Sequence, residues 1–473
     1  MSKIMKTSFT RLLIPCLLIP LLASCAGFQP KPISTSDTVT ALEARTLDNT
    51  NLRDFIQRNI AQDAASWPPK SWDLTLLTLA AFYYHPDVDV ARAKWGVAEA
   101  SIVTAGMRPN PGMGVSAQQN VVEPGGVKPW AYFWNLDIPV ETAGKRGYRI
   151  AQAKHLSEAV RLNFADTAWK VYSRVRSSLV TLYAARESTT LLQEQETLQA
   201  DIVKLLEHRF AMGEISQPEV TLARITLQQT LLALQESQRQ ESQARVELAS
   251  AIGLPNSSLT GITLSFDGIS ETPNPENLST PEVRHEALLN RADILAALAE
   301  YEASQSDLQQ AIAKQYPDIH LGPGWAWGQG WMLGLTLTLP VFNQNDGPIA
   351  EAEARRRQAA ASFTALEARA LGEIDSALAA YRVTAQKLDT ADGLLSDQKK
   401  RQRSTQARFQ AGDVDRLTLI ETRLELLSAQ LARLGIFVQE QQSLGLLQDA
   451  VQRPLTPIPL ISMMNPSKEK NQK

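Results

Sequence analysis

The sequence predicts a mainly α-helical chain with a β-barrel portion: tandem long helical hairpins joined to four strands of membrane-crossing length. Three observations predict it. Residues 148–212 contain neither Gly nor Pro. Segments such as "WMLGLTLTLPVF" (331–342) alternate apolar and polar or small residues, the pattern of a strand with two unlike faces. Two stretches about 200 residues apart match in order.

The N-terminus comes first. "MSKIMKTSFTRLLIPCLLIPLLASC" carries Lys3, Lys6 and Arg11, then an apolar run from Leu12 to Leu22, then small residues. That is a secretory signal over residues 1–24, too short for a spanning helix. Leu22-Ala23-Ser24-Cys25 resembles the bacterial lipobox, which implies cleavage before Cys25, acylation of Cys25 and loss of Cys16 with the signal. Ala26 and Gly27 follow, with no Asp at the second position, which favours sorting to the outer membrane. Residues 25–70 then form a lipidated leader of mixed pattern that the sequence does not place. Beyond Leu22 no stretch approaches the ~20 apolar residues of a spanning helix, so any membrane crossing must use strands.

The bulk composition narrows the class. Of 473 residues, 44 % are apolar and 21 % charged, which excludes a disordered chain and a bundle of spanning helices. A net charge of -3 gives no polybasic footprint for nucleic acid. The five His show no metal-ligand spacing, and no nucleophile–base arrangement appears. "GPGWAWGQG" is glycine-rich but lies within a strand pattern, so it is not a phosphate loop. The residues therefore offer no catalytic, cofactor or metal site.

The repeat organises the remainder. "RFAMGEISQPEVTLAR" (209–224) aligns with "RFQAGDVDRLTLIETR" (408–423), and "LDIPVETAGKRG" (136–147) with "LTLPVFNQNDG" (337–347). "HPDVDVARA" (85–93) aligns with "RADILAALA" (291–299). This predicts a first repeat over 71–272, a second over 273–460 and a polar tail, 461–473. Each repeat reads helix, strand, strand, long hairpin, with hairpins at 148–252 and 348–453. About 65 helical residues at 1.5 Å each make a rod of roughly 100 Å. Pro348 suits the first turn of the second rod.

Four segments share the strand pattern, near 112–121, 130–140, 318–328 and 331–342. One side collects Met113, Val115, Trp130, Trp134, Leu136, Leu321, Trp325, Leu333 and Leu335. Five Trp (130, 134, 325, 327, 331) stand at or near strand ends, as an interfacial girdle requires. Each runs about ten residues, enough for a tilted crossing. In lipid every backbone group must be paired, so four strands cannot stay open, and several copies must share one wall.

"RPNPGMGVSA", "IPVETAGKRG", "YPDIHLGPGWAWGQG" and "LTLPVFNQNDGPIAEAEARR" resemble the TolC family of outer-membrane efflux proteins, in its CzcC/CusC-like branch. The resemblance spans about residues 70–455. It implies a homotrimer with a 12-stranded barrel and a helical tunnel through the periplasm. It also implies a periplasmic membrane-fusion adaptor at the hairpin tips and an inner-membrane pump of the resistance-nodulation-division (RND) type. The tips would be Gly213-Glu214 and Gly412-Asp413. The family commonly places two acids one turn apart after the second tip; here Thr418 and Glu421 stand there, so the first acid is missing. Glu421, Glu219 and Asp415 are the candidate gate carboxylates, rings of which would attract cations in a constriction. A periplasmic adaptor-like lipoprotein is the rival reading. Heavy-metal cations and small toxic organic compounds are equal candidates as cargo.

Overall fold

The structure, a computed structural model, describes residues 27–60, 67–119, 130–269, 272–278, 281–327 and 330–455. The signal segment, Cys25 and the tail lie outside the described residues, as do positions 120, 121 and 328 at the predicted strand ends. The chain divides into two units, residues 1–45 and 46–473. The first contains α1 (Thr35–Glu43), capped by Ser34 and burying none of its own residues.

In the second unit, α2 (Thr50–Asn59) lies in the leader, and α3 (Leu74–Tyr84), inside the predicted first repeat, comes before the elements that recur. That repeat runs α4 (Pro86–Ala105), β1 (Gly112–Gln119), β2 (Trp130–Val140), α5 (Lys145–Ala211) and α6 (Gln217–Ile252). After α7 (Pro281–Asn290) the order recurs as α8 (Ala292–Ala313), β3 (Ile319–Ala326), β4 (Gly330–Leu337), α9 (Asp346–Gln410) and α10 (Arg416–Val451). The 67 residues of α5 make a rod of roughly 100 Å. α9 continues unbroken through Gly372 and Gly393. β4 stops at Leu337, short of the predicted 342. Its partner β3 begins at Ile319, directly opposite, so beyond Leu337 there is no strand left to pair with.

The sheet is antiparallel in the order β1-β2-β3-β4. Its register places Val115, Trp134, Trp325 and Trp331 in one row across all four strands. Successive side chains alternate faces, so Met113, Tyr132, Leu136, Ile138, Ile319, Leu321, Leu333, Leu335 and Leu337 share that face. The opposite face carries Gly114, Ser116, Asn135, Asp137, His320, Gly324 and Thr336. The apolar face is bare: Met113 is 73 %, Trp331 73 % and Leu333 79 % exposed. Trp325 and Trp134 each meet Trp331 edge-on, with centroids 5.2 and 5.8 Å apart, at the end far from the helices.

A collar of polar contacts joins sheet to helices and explains "ETAGKRG". Ala143 and Gly144 take positive φ (54° and 73°) to turn β2 into α5. Lys145 Nζ then donates to Tyr316 O (2.6 Å) and Asp318 (2.7 Å), while Thr142 N–H donates to Asp318 (3.0 Å). Arg146 and Arg149 donate to the carbonyls of Ala105, Gly106 and Met107, which the end of α4 leaves without helical partners. In the second repeat Asn345, at φ 67°, turns the chain into α9 and donates to Ala311 O at 2.6 Å.

Each tier is one layer with the same order. Nearest the hairpin tips, α6 packs on α5, α5 on α10 and α10 on α9; nearer the sheet, α4 packs on α5, α5 on α8 and α8 on α9. The first repeat supplies one edge throughout, the second repeat the other. Where the tiers meet, Leu47, Leu52, Ile56, Trp72 and Phe82 pack against Tyr172, Val175, Leu179, Leu248 and Ile252. Part of the leader is therefore core.

Polar groups cross this core between repeats. Buried Arg176 on α5 donates to Gln441 O (3.2 Å) and Oε1 (3.0 Å) on α10. Trp169 Nε1 and Ser173 Oγ donate to Asp449, both at 2.8 Å. Burial raises the Asp449 carboxyl, partly offset by those donors and Arg176. Gly445 makes the approach possible, since a Cβ there would lie 2.6 Å from Arg176 Nη1. Gly445→Ala is expected to displace the guanidinium and cost about 1–3 kcal/mol. Gly435→Ala, which meets open space in the same helix, is expected to be neutral or stabilising by up to ~1 kcal/mol. Thermal or denaturant unfolding of the two variants checks the contrast.

The residues before α4 and α8 differ in a telling way. Arg174 Nη1 donates to His85 Nε2 at 3.0 Å, with Asp87 3.7 Å from the ring. In the second repeat Arg291 stands at that cap, paired with Asp293 (2.7 Å) and Glu373 (3.1 Å). A protonated His85 would thus face both an acid, Asp87, and a cation, Arg174, where Arg291 faces two acids. Burial lowers His85 below 6.5; Asp87 partly opposes this and Arg174 adds to it. The unfolded chain then binds more protons, so this stability is complete above pH 6.5 and is lost as pH falls through the lowered value. His85→Asn is expected to flatten the stability–pH slope below that pH, measured by thermal melts across the acid range.

Candidate functional site at the hairpin tips

Both hairpins end in the same backbone device. Gly213 has φ 74° and Gly412 φ 82°, and neither has an atom within 4 Å of a notional Cβ. Conformation rather than space requires glycine there. Glu214 N–H donates to Arg209 O (2.9 Å) and Gly213 N–H to Phe210 O (2.9 Å). Asp413 N–H to Arg408 O (2.9 Å) and Gly412 N–H to Phe409 O (3.1 Å) repeat the pattern. These are paired Schellman motifs, which satisfy the last carbonyls of α5 and α9. Glu214 and Asp413 follow each glycine at the extremity of the hairpin.

The returning helices are capped by reciprocal chemistry. Ser216 caps α6, and Glu219 Oε1 accepts from Ser216 N–H (3.0 Å) and Oγ–H (2.7 Å). Those two bonds, backbone first, lower the Glu219 carboxyl. In α10 the roles exchange: Asp415 is the cap and accepts from Thr418 N–H (2.9 Å) and Oγ–H (2.7 Å). Thr418 N–H, Arg209 and the Thr418 hydroxyl hold Asp415 at about 2. Glu219 and Asp415 are occupied as caps. Glu421 is exposed on α10 and, among the described residues, has no ion-pair partner.

What ties the two hairpins together is a row the sequence did not reveal. Arg209 pairs with Asp415 (2.7 Å), Arg416 with Asp201 (3.2 Å) and Arg423 with Glu194 (2.6 Å), all between α5 and α10. Beneath them Leu198, Ile202 and Val203 pack with Ala223, Ile420 and Leu427. Exposed pairs of this kind are individually weak, so the row is easily opened. Arg209 and Arg423 were visible as repeat-matched positions, but their partners lie more than two hundred residues away in sequence. Arg224 and Glu207 brace the first hairpin internally at 2.5 Å, and Arg401 and Glu425 the second at 2.6 Å.

The cobalt-zinc-cadmium resistance protein CzcC of Cupriavidus metallidurans is 24 % identical over 316 residues, 65 % of this chain and 74 % of CzcC. The pyoverdine export outer membrane protein OpmQ of Pseudomonas aeruginosa is 26 % identical over 438 residues, 82 % of this chain and 87 % of OpmQ. The solved structure of CusC, at 17 % identity, superposes with a TM-score of 0.63 over 83 % of this chain and 96 % of CusC. The family model described as outer membrane efflux protein matches residues 81–254 and again 283–450, and with both repeats matched, the chain belongs to the outer membrane efflux protein family.

Proposed function

We propose that the protein is the exit duct of a tripartite efflux system, working as a homotrimer whose sheets close a 12-stranded barrel. The order shared by all three tiers supports this most directly. Among the described residues every tier leaves a first-repeat edge and a second-repeat edge unpartnered, so a neighbouring copy continues strands and helices alike. The duct is passive. A periplasmic membrane-fusion adaptor docks at the tips, around Gly213-Glu214 and Gly412-Asp413, and links it to an RND-type inner-membrane pump. An acyl group on Cys25 anchors the mature chain in outer-membrane lipid. The cargo is a heavy-metal cation or a small toxic organic compound, consistent with the resistance and export roles named for CzcC and OpmQ.

The tip row acts as the closure. Three pairs hold α10 against α5, and loosening them swings the second hairpin outward. Asp415 stays ionised well below the ordinary 3.8, so acidification to mildly acid pH does not release its pair with Arg209. Glu421, on an exposed face of the same helix, contributes a carboxylate ring that favours cations. The mature chain in detergent is expected to run as a heat-modifiable trimer and to form small-conductance channels in planar bilayers. The double variant Arg416→Glu, Arg423→Glu is expected to raise conductance several-fold with the trimer intact. A monomer without channel activity would contradict the proposal and favour an adaptor-like lipoprotein.

A further inference from the structure

A groove of about 540 Å³ opens at the collar, lined by Thr142, Ala143, Tyr316, Pro317, Ile319 and Leu337. Ile319 and Leu337 are directly paired across β3 and β4 and belong to the bare apolar face. The groove is therefore continuous with the surface that faces lipid in a membrane barrel. It lies at the opposite end of the sheet from the Trp cluster. From the Trp325–Trp331 pair to the Ile319–Leu337 pair is about 20 Å at ~3.3 Å per residue, within the apolar band of such barrels.

The collar's polar atoms are spent elsewhere. Thr142 N–H and Oγ–H go to Asp318 and Pro317 O, and Lys145 Nζ to Tyr316 O and Asp318. The groove is open and its floor offers mostly carbon, a surface that an apolar chain covers more favourably than water does. Tyr316, 60 % exposed at the rim, places an amphipathic ring where headgroups begin.

We propose that this groove seats one acyl chain of an inner-leaflet membrane phospholipid, fixing the depth of the barrel in the bilayer. The inference rests on the sheet being a membrane barrel, and the test separates the two. The full mature chain is reconstituted in phosphatidylethanolamine–phosphatidylglycerol vesicles doped with a phosphatidylethanolamine bearing a mid-chain diazirine. After irradiation, adducts are mapped by mass spectrometry. They are expected to concentrate on residues 142–143 and 316–319, several-fold above Leu333 and Leu335. Ile319→Trp, which fills the groove, is expected to abolish that excess, while Leu335→Trp leaves it. Even labelling along the apolar face would overturn the groove but keep the barrel. An excess that is missing in the acylated chain and emerges only in Cys25→Ser would overturn it in favour of the chain's own acyl group. Absence of adducts anywhere on the sheet would overturn the barrel itself.

Discussion

Unpaired backbone in hydrocarbon is the constraint on which the molecule turns. A sheet in lipid must satisfy every N–H and C=O, each costing several kcal/mol if left bare. Among the described residues this chain supplies four strands, and the outer two, β1 and β4, have no further strand beside them. The sheet's apolar face tolerates lipid, but its edges do not. Only further strands from other copies resolve the conflict. The same logic reaches the helices, because each rod continues from a strand: β1 follows α4, and β4 leads into α9. Edges that meet in the sheet oblige the edges below to meet as well.

The repeat makes such an assembly economical in sequence. Each half carries two strands and a hairpin, and the halves are joined side by side through β2 and β3. What differs between halves is chemistry rather than geometry. Ser216 with Glu219 and Asp415 with Thr418 perform the same cap with the carboxylate at opposite ends. His85, between Asp87 and Arg174, and Arg291, between Asp293 and Glu373, occupy the same cap with different charges around them. A duplicated backbone has thus been given two sets of charges, and the charged residues at the tips bind the two copies to each other.

Features governed by local periodicity were legible beforehand. The alternation Leu333, Leu335, Leu337 fixed one face of β4, and the register confirms that all four apolar rows share it. Gly213 and Gly412 were readable as turns, because a left-handed residue after a long helix calls for glycine. Long-range chemistry was not legible. Leu47, Leu52 and Ile56 lie on short segments with too few turns to show a period, yet they are core. Asp415 looked like a free acid of the tunnel, and only the fold shows it shared between Thr418 and Arg209. The end of β4 at Leu337 depends on where β3 begins, which the residues 338–342 do not encode.

The central claim is that one face of this sheet meets lipid while the other meets water. Single cysteines replacing each residue from Met332 to Leu337, in a chain lacking Cys25, test it in reconstituted vesicles with a charged, water-soluble thiol reagent. The account predicts rapid labelling at 332, 334 and 336 and protection at 333, 335 and 337. Uniform labelling, or the reverse alternation, would contradict it.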